Sequence, residues 1–372
     1  MLHLSVKTFI LCILCAVFLN SFANSTTWVV TTNGDDIGVC EDDRCPTLRA
    51  AINAAGEGDT VTFDASLAGR TIVLEGPLEV ALNVLTIEAS ELTDRVTIDG
   101  NELFRVLTQV DNPEVIQQHG SQQIFTINNL VLRNGYAESG AGIRSVGQIN
   151  LVNSLMIGNR AHSVGGGAIF SEGNVNIISS TISGNRALMS GGGVNSQGAV
   201  NVRNSTIVGN RSGGASGGGI YASGDITVVN SRVWGNGAGF SGGALLGNAV
   251  TIINSAIWAN RALILGEGSA GAILSDDLVV MNSTISDNMA VFIGDASSRR
   301  TSKYGLGGAV LSEGDVTLIN SRVIRNAATN GGGIYVDGVG NTVTLNNSTV
   351  EGNTAKGNPN IRLPSFTYVP PL

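Results

Sequence analysis

Between Ile124 and Val350 the hydrophobic and polar positions of this chain repeat one pattern nine times. An apolar residue stands four places before an Asn, a second two places before it and a third three places after it, and another Asn follows the first by six residues. The Asn pairs are Asn128/Asn134, Asn153/Asn159, Asn204/Asn210, Asn230/Asn236, Asn254/Asn260, Asn282/Asn288, Asn320/Asn326 and Asn347/Asn353, with Ser179/Asn185 as the one substituted member. Four before the first Asn stand Ile124, Ile149, Val175, Val200, Ile226, Val250, Leu278, Val316 and Val343. Two before it stand Thr126, Leu151, Ile177, Val202, Val228, Ile252, Val280, Leu318 and Leu345. Three after it stand Val131, Met156, Ile182, Ile207, Val233, Ile257, Ile285, Val323 and Val350.

The first two columns have a period of two, which predicts a strand with one face buried. β-branched residues dominate all three columns, as strands favour. A third strand is expected behind each glycine cluster, over 165–169, 191–194, 217–220, 242–245, 271–273, 307–310 and 331–334. Successive second Asn residues lie 25, 26, 25, 26, 24, 28, 38 and 27 positions apart, a period that means a solenoid. A leucine-rich repeat needs a helix or extended arm in each unit, whereas the stretch Gly-Gly-Gly-Ala-Ile-Phe-Ser-Glu-Gly at 165–173 has no helical period. The expected fold is therefore all-β, a right-handed parallel β-helix with three short strands per coil of about 25 residues. Its coils stack roughly 4.8 Å apart, the spacing of paired strands.

Both Asn columns read as scaffold. Turns of parallel coils need residues that tolerate positive φ, and stacked amides satisfy one another without water. Asn159, Asn185, Asn210, Asn236, Asn260, Asn288, Asn326 and Asn353 are the expected ladder.

A solenoid exposes strand edges at its ends and must cover them. Leu48, Ala51, Ile52 and Ala55 have helical spacing and Thr47 can cap the first turn, which predicts a short N-terminal helix over the first coil. Strand-like runs follow at 60–63, 71–74, 85–88 and 96–98. At the start, Lys7, an apolar run over 9–19 and Ser21-Phe22-Ala23 have the layout of a secretory signal cleaved after Ala23. The run is too short for a membrane span. The expected organisation is a signal peptide over 1–23, a cap and first coils over 24–100, β-helix repeats over 101–363 and a Pro-rich tail over 364–372.

Cleavage removes Cys12 and Cys15 and leaves Cys40 and Cys45, which in an oxidising compartment read as a local disulfide rather than a metal site. It also removes Lys7 and takes the formal charge from -8 to -9. A net acidic chain is a poor candidate for nucleic acid, whose phosphates call for a basic face. The 50 glycines follow no collagen period, and the hydrophobic residues, 42% of the chain, recur in register, which excludes disorder.

Two resemblances follow from these segments. Residues 40–63, with Cys-Glu-Asp-Asp-Arg-Cys-Pro-Thr-Leu-Arg-Ala-Ala-Ile-Asn-Ala-Ala and then Gly-Asp-Thr-Val-Thr-Phe, resemble the bacterial CSLREA domain, which opens many exported β-helix proteins. The match is at Cys45, Leu48, Arg49 and Ala51; Pro46 is extra, Thr47 replaces Ser and Ala50 stands where the family carries Glu. The repeats, for example 182–194, resemble the pectin-lyase-like superfamily and, more loosely, polymorphic outer-membrane proteins, with Ile or Val in place of their Phe and without their C-terminal barrel. These resemblances imply an exported β-helix and leave activity open, because that fold hosts lyases, hydrolases, tailspikes and adhesins.

Chemistry is expected where the period breaks. The two long excursions are 261–270 and 289–306, and the second carries Arg299, Arg300, Lys303 and Tyr304. Beside it, Asp277 and Asp315 occupy the same register in adjacent coils, flanked by Asp276 and Glu313. Such a cluster could take Ca²⁺ at Asp277 and Asp315, or raise one acid's pKa for proton transfer. By analogy with pectate-lyase-like β-elimination, Arg299, Arg300 or Lys303 would be the base. Solvated turn acids are the plainer reading. Arg160, Arg186, Arg211 and Arg261 each follow the second Asn of their coil and would form a partial basic stripe. Like charges about 5 Å apart in water repel by only ~0.8 kcal/mol, so a stripe needs no ligand in order to exist. His119 and His162 are isolated. The leading expectation is a secreted or cell-surface, adhesin-like protein that binds carbohydrate such as a host glycan along one face, using the four arginines and Tyr304, without catalysis and without an obligatory cofactor. The alternative is a polysaccharide lyase or hydrolase acting on an acidic glycan.

Overall fold

A computed structural model describes residues 25–111, 123–264, 269–292 and 305–363. The chain winds as a right-handed parallel β-helix. Among the described residues its strands group into three parallel sheets of 22, 11 and 7 strands, hereafter the long, second and narrow sheets.

One coil explains the rest. Ile169–Ser171 enters the long sheet, a bend at Glu172 and Gly173 follows, and Val175–Ile178 continues in the same sheet. Ser179 turns the chain at φ 50° into Thr181–Ser183 of the second sheet, and Gly184 turns it again at φ 63°. Arg186–Ala187 then forms a two-residue strand of the narrow sheet, which the apolar columns did not announce. The strands behind the glycine clusters start later than the clusters suggest, at Ile169, Val194 and Ile220, because the glycines themselves form the bend. A side chain at Gly192 would strike the backbone of Arg211 and the carbonyl of Gly218 in the next coil, so the clusters are stacked contact points as well as turns.

The inward columns make one continuous core. Ile149, Leu151, Met156, Val175, Ile177 and Ile182 are all fully buried, and the same positions stay buried through Val316, Leu318 and Val323. The first copy of the pattern departs from the register read off the sequence. Asn128 pairs with Val152 and Leu132 with Met156, so the residues turned inward are Phe125, Ile127, Leu130 and Leu132, not Ile124, Thr126 and Val131. The pair Asn128/Asn134 is thus one residue out of step: Asn129 takes the left-handed turn, and Gly135 stands where Asn159 stands one coil later. A one-residue slip exchanges the two faces of a strand, and the large Phe125 prevails over Ile124 for the core.

Polar groups inside the wall are satisfied by ladders. From Asn185 to Asn353 the Oδ1 of the second Asn accepts from the backbone N–H and the Nδ2 of its counterpart one coil earlier, for instance at 3.0 and 2.9 Å between Asn185 and Asn210. Its Nδ2 also donates to the carbonyl of the preceding coil's apolar residue, Asn210 to Ile182 at 2.9 Å. A second ladder, unread in the sequence, runs through the serines that follow the first Asn. Ser154 N donates to Ser180 Oγ, Ser180 N to Ser205 Oγ and Ser205 N to Ser231 Oγ, each at 3.0 Å.

At the N-terminal end the helix Leu48–Ala54 lies over the strands Thr27–Val30, Arg44–Cys45 and Thr60–Phe63. Thr47 caps it by accepting from Ala50 N, and Leu48, Ala51 and Ile52 are buried in the common core. Arg49 fastens it from outside, donating to the carboxylate of Asp35 at 2.6 Å and to the carbonyls of Gly76 and Pro77. Cys40 and Cys45 are joined by a disulfide. Between them Glu41 and Arg44 exchange backbone hydrogen bonds around Asp42, whose φ is 53°. No described helix is long and apolar enough to cross a membrane.

Candidate ligand-binding face

The narrow sheet carries the basic residues in one line. Parallel pairing sets Tyr136 against Arg160, Arg160 against Arg186, Arg186 against Arg211, Arg211 against Gly237 and Gly237 against Arg261. All four arginines are exposed, while the residues after them, Ala161, Ala187, Ser212 and Ala262, point into the core. The alternation of a strand therefore requires the guanidiniums to face outward. Among the described residues none of the four forms an ion pair or a side-chain hydrogen bond. Beside the first of them Tyr136 stacks on His162, ring centroids 4.8 Å apart.

The other side of the same corner is aromatic. The turn that buries Asn236 and Asn260 separates the narrow sheet from the second sheet, where Trp234 and Trp258 pair in register and stack with centroids 5.6 Å apart and planes within 7°. Trp234 remains 38% exposed. The gap in the guanidinium line, Gly237, falls in the coil of Trp234.

The two excursions leave from this narrow sheet. Its strands are two residues long from Tyr136–Ala137 to Gly237–Ala238, then lengthen to Arg261–Ile264 and Met289–Phe292, which pair over all four residues. Arg299, Arg300, Lys303 and Tyr304, and the turn at 265–268, lie outside the described residues.

The acids of the lyase reading are in register but otherwise engaged. Asp277 Oδ1 accepts from Asp315 N at 2.8 Å, and Asp315 Oδ1 accepts from Thr342 N at 2.7 Å and Thr342 Oγ1 at 2.9 Å. Asn174 does the same for Ala199 N and Asp225 for Ala249 N, so this column caps the next coil's backbone whether or not it is charged. Asp276 and Glu313 are exposed, as are Asp277 and Asp315. Ca²⁺ takes about six to eight oxygen ligands, and two exposed carboxylates that each have an oxygen on a backbone N–H fall short of that donor set. Among the described residues no group of three or more His, Cys, Asp and Glu side chains is placed to hold a metal ion.

Three carboxylates elsewhere are held below their ordinary range. Burial pushes Asp99 up, but the N–H of Asn101, the Arg133 guanidinium and the Asn134 amide together outweigh it. Asp287 is lowered chiefly by Arg325, and Asp64 is lowered to about 2 chiefly by Arg44. Each is fixed as a carboxylate by a partner, the opposite of what a proton donor needs near neutral pH.

The described fold is similar to the crystal structure of the pectate lyase Pel9A, at a TM-score of 0.39 and 14% identity over 91% of this chain and 78% of that one. At that level the likeness carries no inference about chemistry. No protein-family model matches the chain, and no curated protein matches it.

Proposed function

We propose that this protein is an exported or surface-associated β-helix that binds an acidic polysaccharide along its narrow sheet, without catalysis. The line of Arg160, Arg186, Arg211 and Arg261 carries the reading. A chain of formal charge -8 sets four exposed, unpaired guanidiniums in register on one face, each a free donor of bidentate hydrogen bonds to carboxylate or sulfate. Their spacing, one strand separation of roughly 4.8 Å per coil and twice that across Gly237, is a repeat that an extended polymer can follow residue by residue. The Cys40–Cys45 disulfide supports an oxidising compartment. The overall acidity disfavours a nucleic acid as the polymer.

Retention of the purified protein on immobilised polygalacturonate and on dextran sulfate, with neutral dextran as the control, tests this directly. Both acidic polymers are expected to bind in a salt-dependent way and dextran not at all. The combined Arg160→Gln, Arg186→Gln, Arg211→Gln and Arg261→Gln variant should lose the binding. Equal retention of that variant would overturn the reading. Ultraviolet absorbance from an unsaturated uronate product would replace it with a lyase.

A further inference from the structure

The gap in the arginine line coincides with the start of the indole pair, and this points to a second chemistry at the same corner. Resting on the acidic-polysaccharide reading above, we propose that Trp234 and Trp258 form a sugar-ring subsite, with Gly237 as the notch that leaves it open and Arg211 and Arg261 as the charged flanks. Three observations combine. The indoles are parallel within 7° and stacked on one another, project from adjacent coils of the second sheet, and Trp234 keeps 38% of its surface in water. Neither indole N–H makes a hydrogen bond with a described residue, so both are free donors, and buried or bound indoles ordinarily find a partner. Gly237 is the position of the narrow-sheet line from Arg160 to Arg261 that has no side chain, in the very coil where the first Trp stands.

The chemistry that fits is a pyranose bearing a carboxylate or sulfate. Its C–H face packs on an aromatic surface, whose face is electron-rich, while its anionic substituent reaches a guanidinium across the corner. A neutral sugar satisfies only the first contact and a simple anion only the second. The stem of Arg211 already leans toward the notch: a Cβ at position 237 would lie 3.6 Å from its Cγ and Nε, an ordinary contact distance. Position 237 therefore accepts a side chain without a clash, and in this proposal a long side chain there would cover the approach to the rings.

That gives a test in which charge and ring access oppose each other. Gly237→Arg completes the basic line, and a stripe acting by charge alone would bind polyanions more tightly with one more cation. The subsite predicts the reverse. Gly237→Arg, Trp234→Ala and Trp258→Ala should each weaken binding of polygalacturonate and dextran sulfate about tenfold, the loss typical of a removed aromatic anchor. Gly237→Ala should leave affinity within about twofold, since a methyl group does not reach the rings. Far-ultraviolet circular dichroism and a melting curve identify any variant that fails to fold, and Gly237→Arg tests the idea independently of the Trp substitutions. If Gly237→Arg tightens binding and the Trp variants bind as the parent does, the subsite is overturned while the basic line stands. If the parent protein binds neither acidic polymer, both readings fail. A loss confined to one polymer assigns the anionic group as carboxylate or as sulfate.

Discussion

The two Asn columns are indistinguishable by residue type and opposite in physics. The first column, Asn153, Asn204, Asn230, Asn254, Asn282, Asn320 and Asn347 with Ser179, sits at φ between 47° and 50°. At Asn153, Ser179 and Asn204 the side chain is exposed. What these positions require is a left-handed backbone, which Asn adopts at little cost. The second column is at most 6% exposed and lacks positive φ; there it is the residue before it, Gly158, Gly184, Gly209 or Gly235, that turns left-handed. What that column requires is a side chain with one acceptor and two donors in a fixed place. Serine can replace Asn in the first column because the left-handed bend is what every coil asks of it; only towards the C-terminal end do the amides of Asn282, Asn320 and Asn347 also bond one another, at 3.2 and 2.8 Å. In the second column, from Asn159 to Asn353, each amide serves the coil before it and the coil after it, so no single member can change alone.

The largest effect should therefore come from the ladder. Asn210→Ala removes four hydrogen bonds, two accepted from Asn185 and one donated to each of Ile182 O and Asn236 Oδ1, and leaves buried polar groups unsatisfied at about 1–3 kcal/mol each. A destabilisation of about 4 kcal/mol by urea denaturation is expected, with faster hydrogen exchange in the neighbouring coils. A loss below about 1 kcal/mol would mean that water replaces the amide, and the distinction between the columns would collapse. The next effect separates backbone from side chain. Asn204→Val puts a β-branched residue at φ 50° and should destabilise by about 2 kcal/mol, whereas Asn204→Gly should stay within about 0.5 kcal/mol of the parent. If the glycine variant proved the worse of the two, the exposed amide would have a bonding role that its position does not suggest.

The sequence reveals this scaffold because the core columns repeat with few exceptions, and apolar periodicity is a direct image of burial. Val175, Ile177 and Ile182 could be assigned inward from spacing alone, and the structure buries all three. Where two neighbouring residues compete for the core, spacing fails: Ile124 keeps the sequence in step, but Phe125 and Ile127 are the buried pair. The serine ladder was legible and missed. A Ser follows the first Asn, or Ser179, in the eight copies from Ser154 to Ser348, a regularity that a free surface residue has no reason to keep. The narrow sheet left little trace because two residues cannot establish a period, although its outward arginines were visible as a line. The indole pair was legible and missed: Trp234 and Trp258 directly follow the aligned Val233 and Ile257, and Gly237 falls in the column of Arg211 and Arg261, a register that the strand pairing bears out. Asp277 and Asp315 were read by charge, yet Asn174 shows that their column selects an acceptor for the next coil's N–H.

The smallest expected effect tests the left-handed turns where they lack glycine. Asp287 and Arg325 occupy, at φ 57° and 55°, the position that is Gly in most coils, and they bond each other across adjacent coils through two contacts of 2.8 Å. Two strained residues are thus joined by an exposed ion pair, which solvent screens to a small net contribution that the strain of a non-glycine turn offsets. Arg325→Gly removes both terms at once and should leave stability at pH 7 close to that of the parent. The pH dependence shows which term was lost. Arg325 holds the folded pKa of Asp287 below its ordinary 3.8, so the pair's contribution is present above that value and disappears as pH falls through the lower folded pKa. Between pH 7 and pH 4 the variant and the parent should run parallel, and below pH 4 the parent should lose stability faster, because the variant has no such contribution left to lose. A parent and variant that stay parallel throughout acid denaturation would show the pair to be energetically silent, and the glycine position would then be governed by backbone conformation alone.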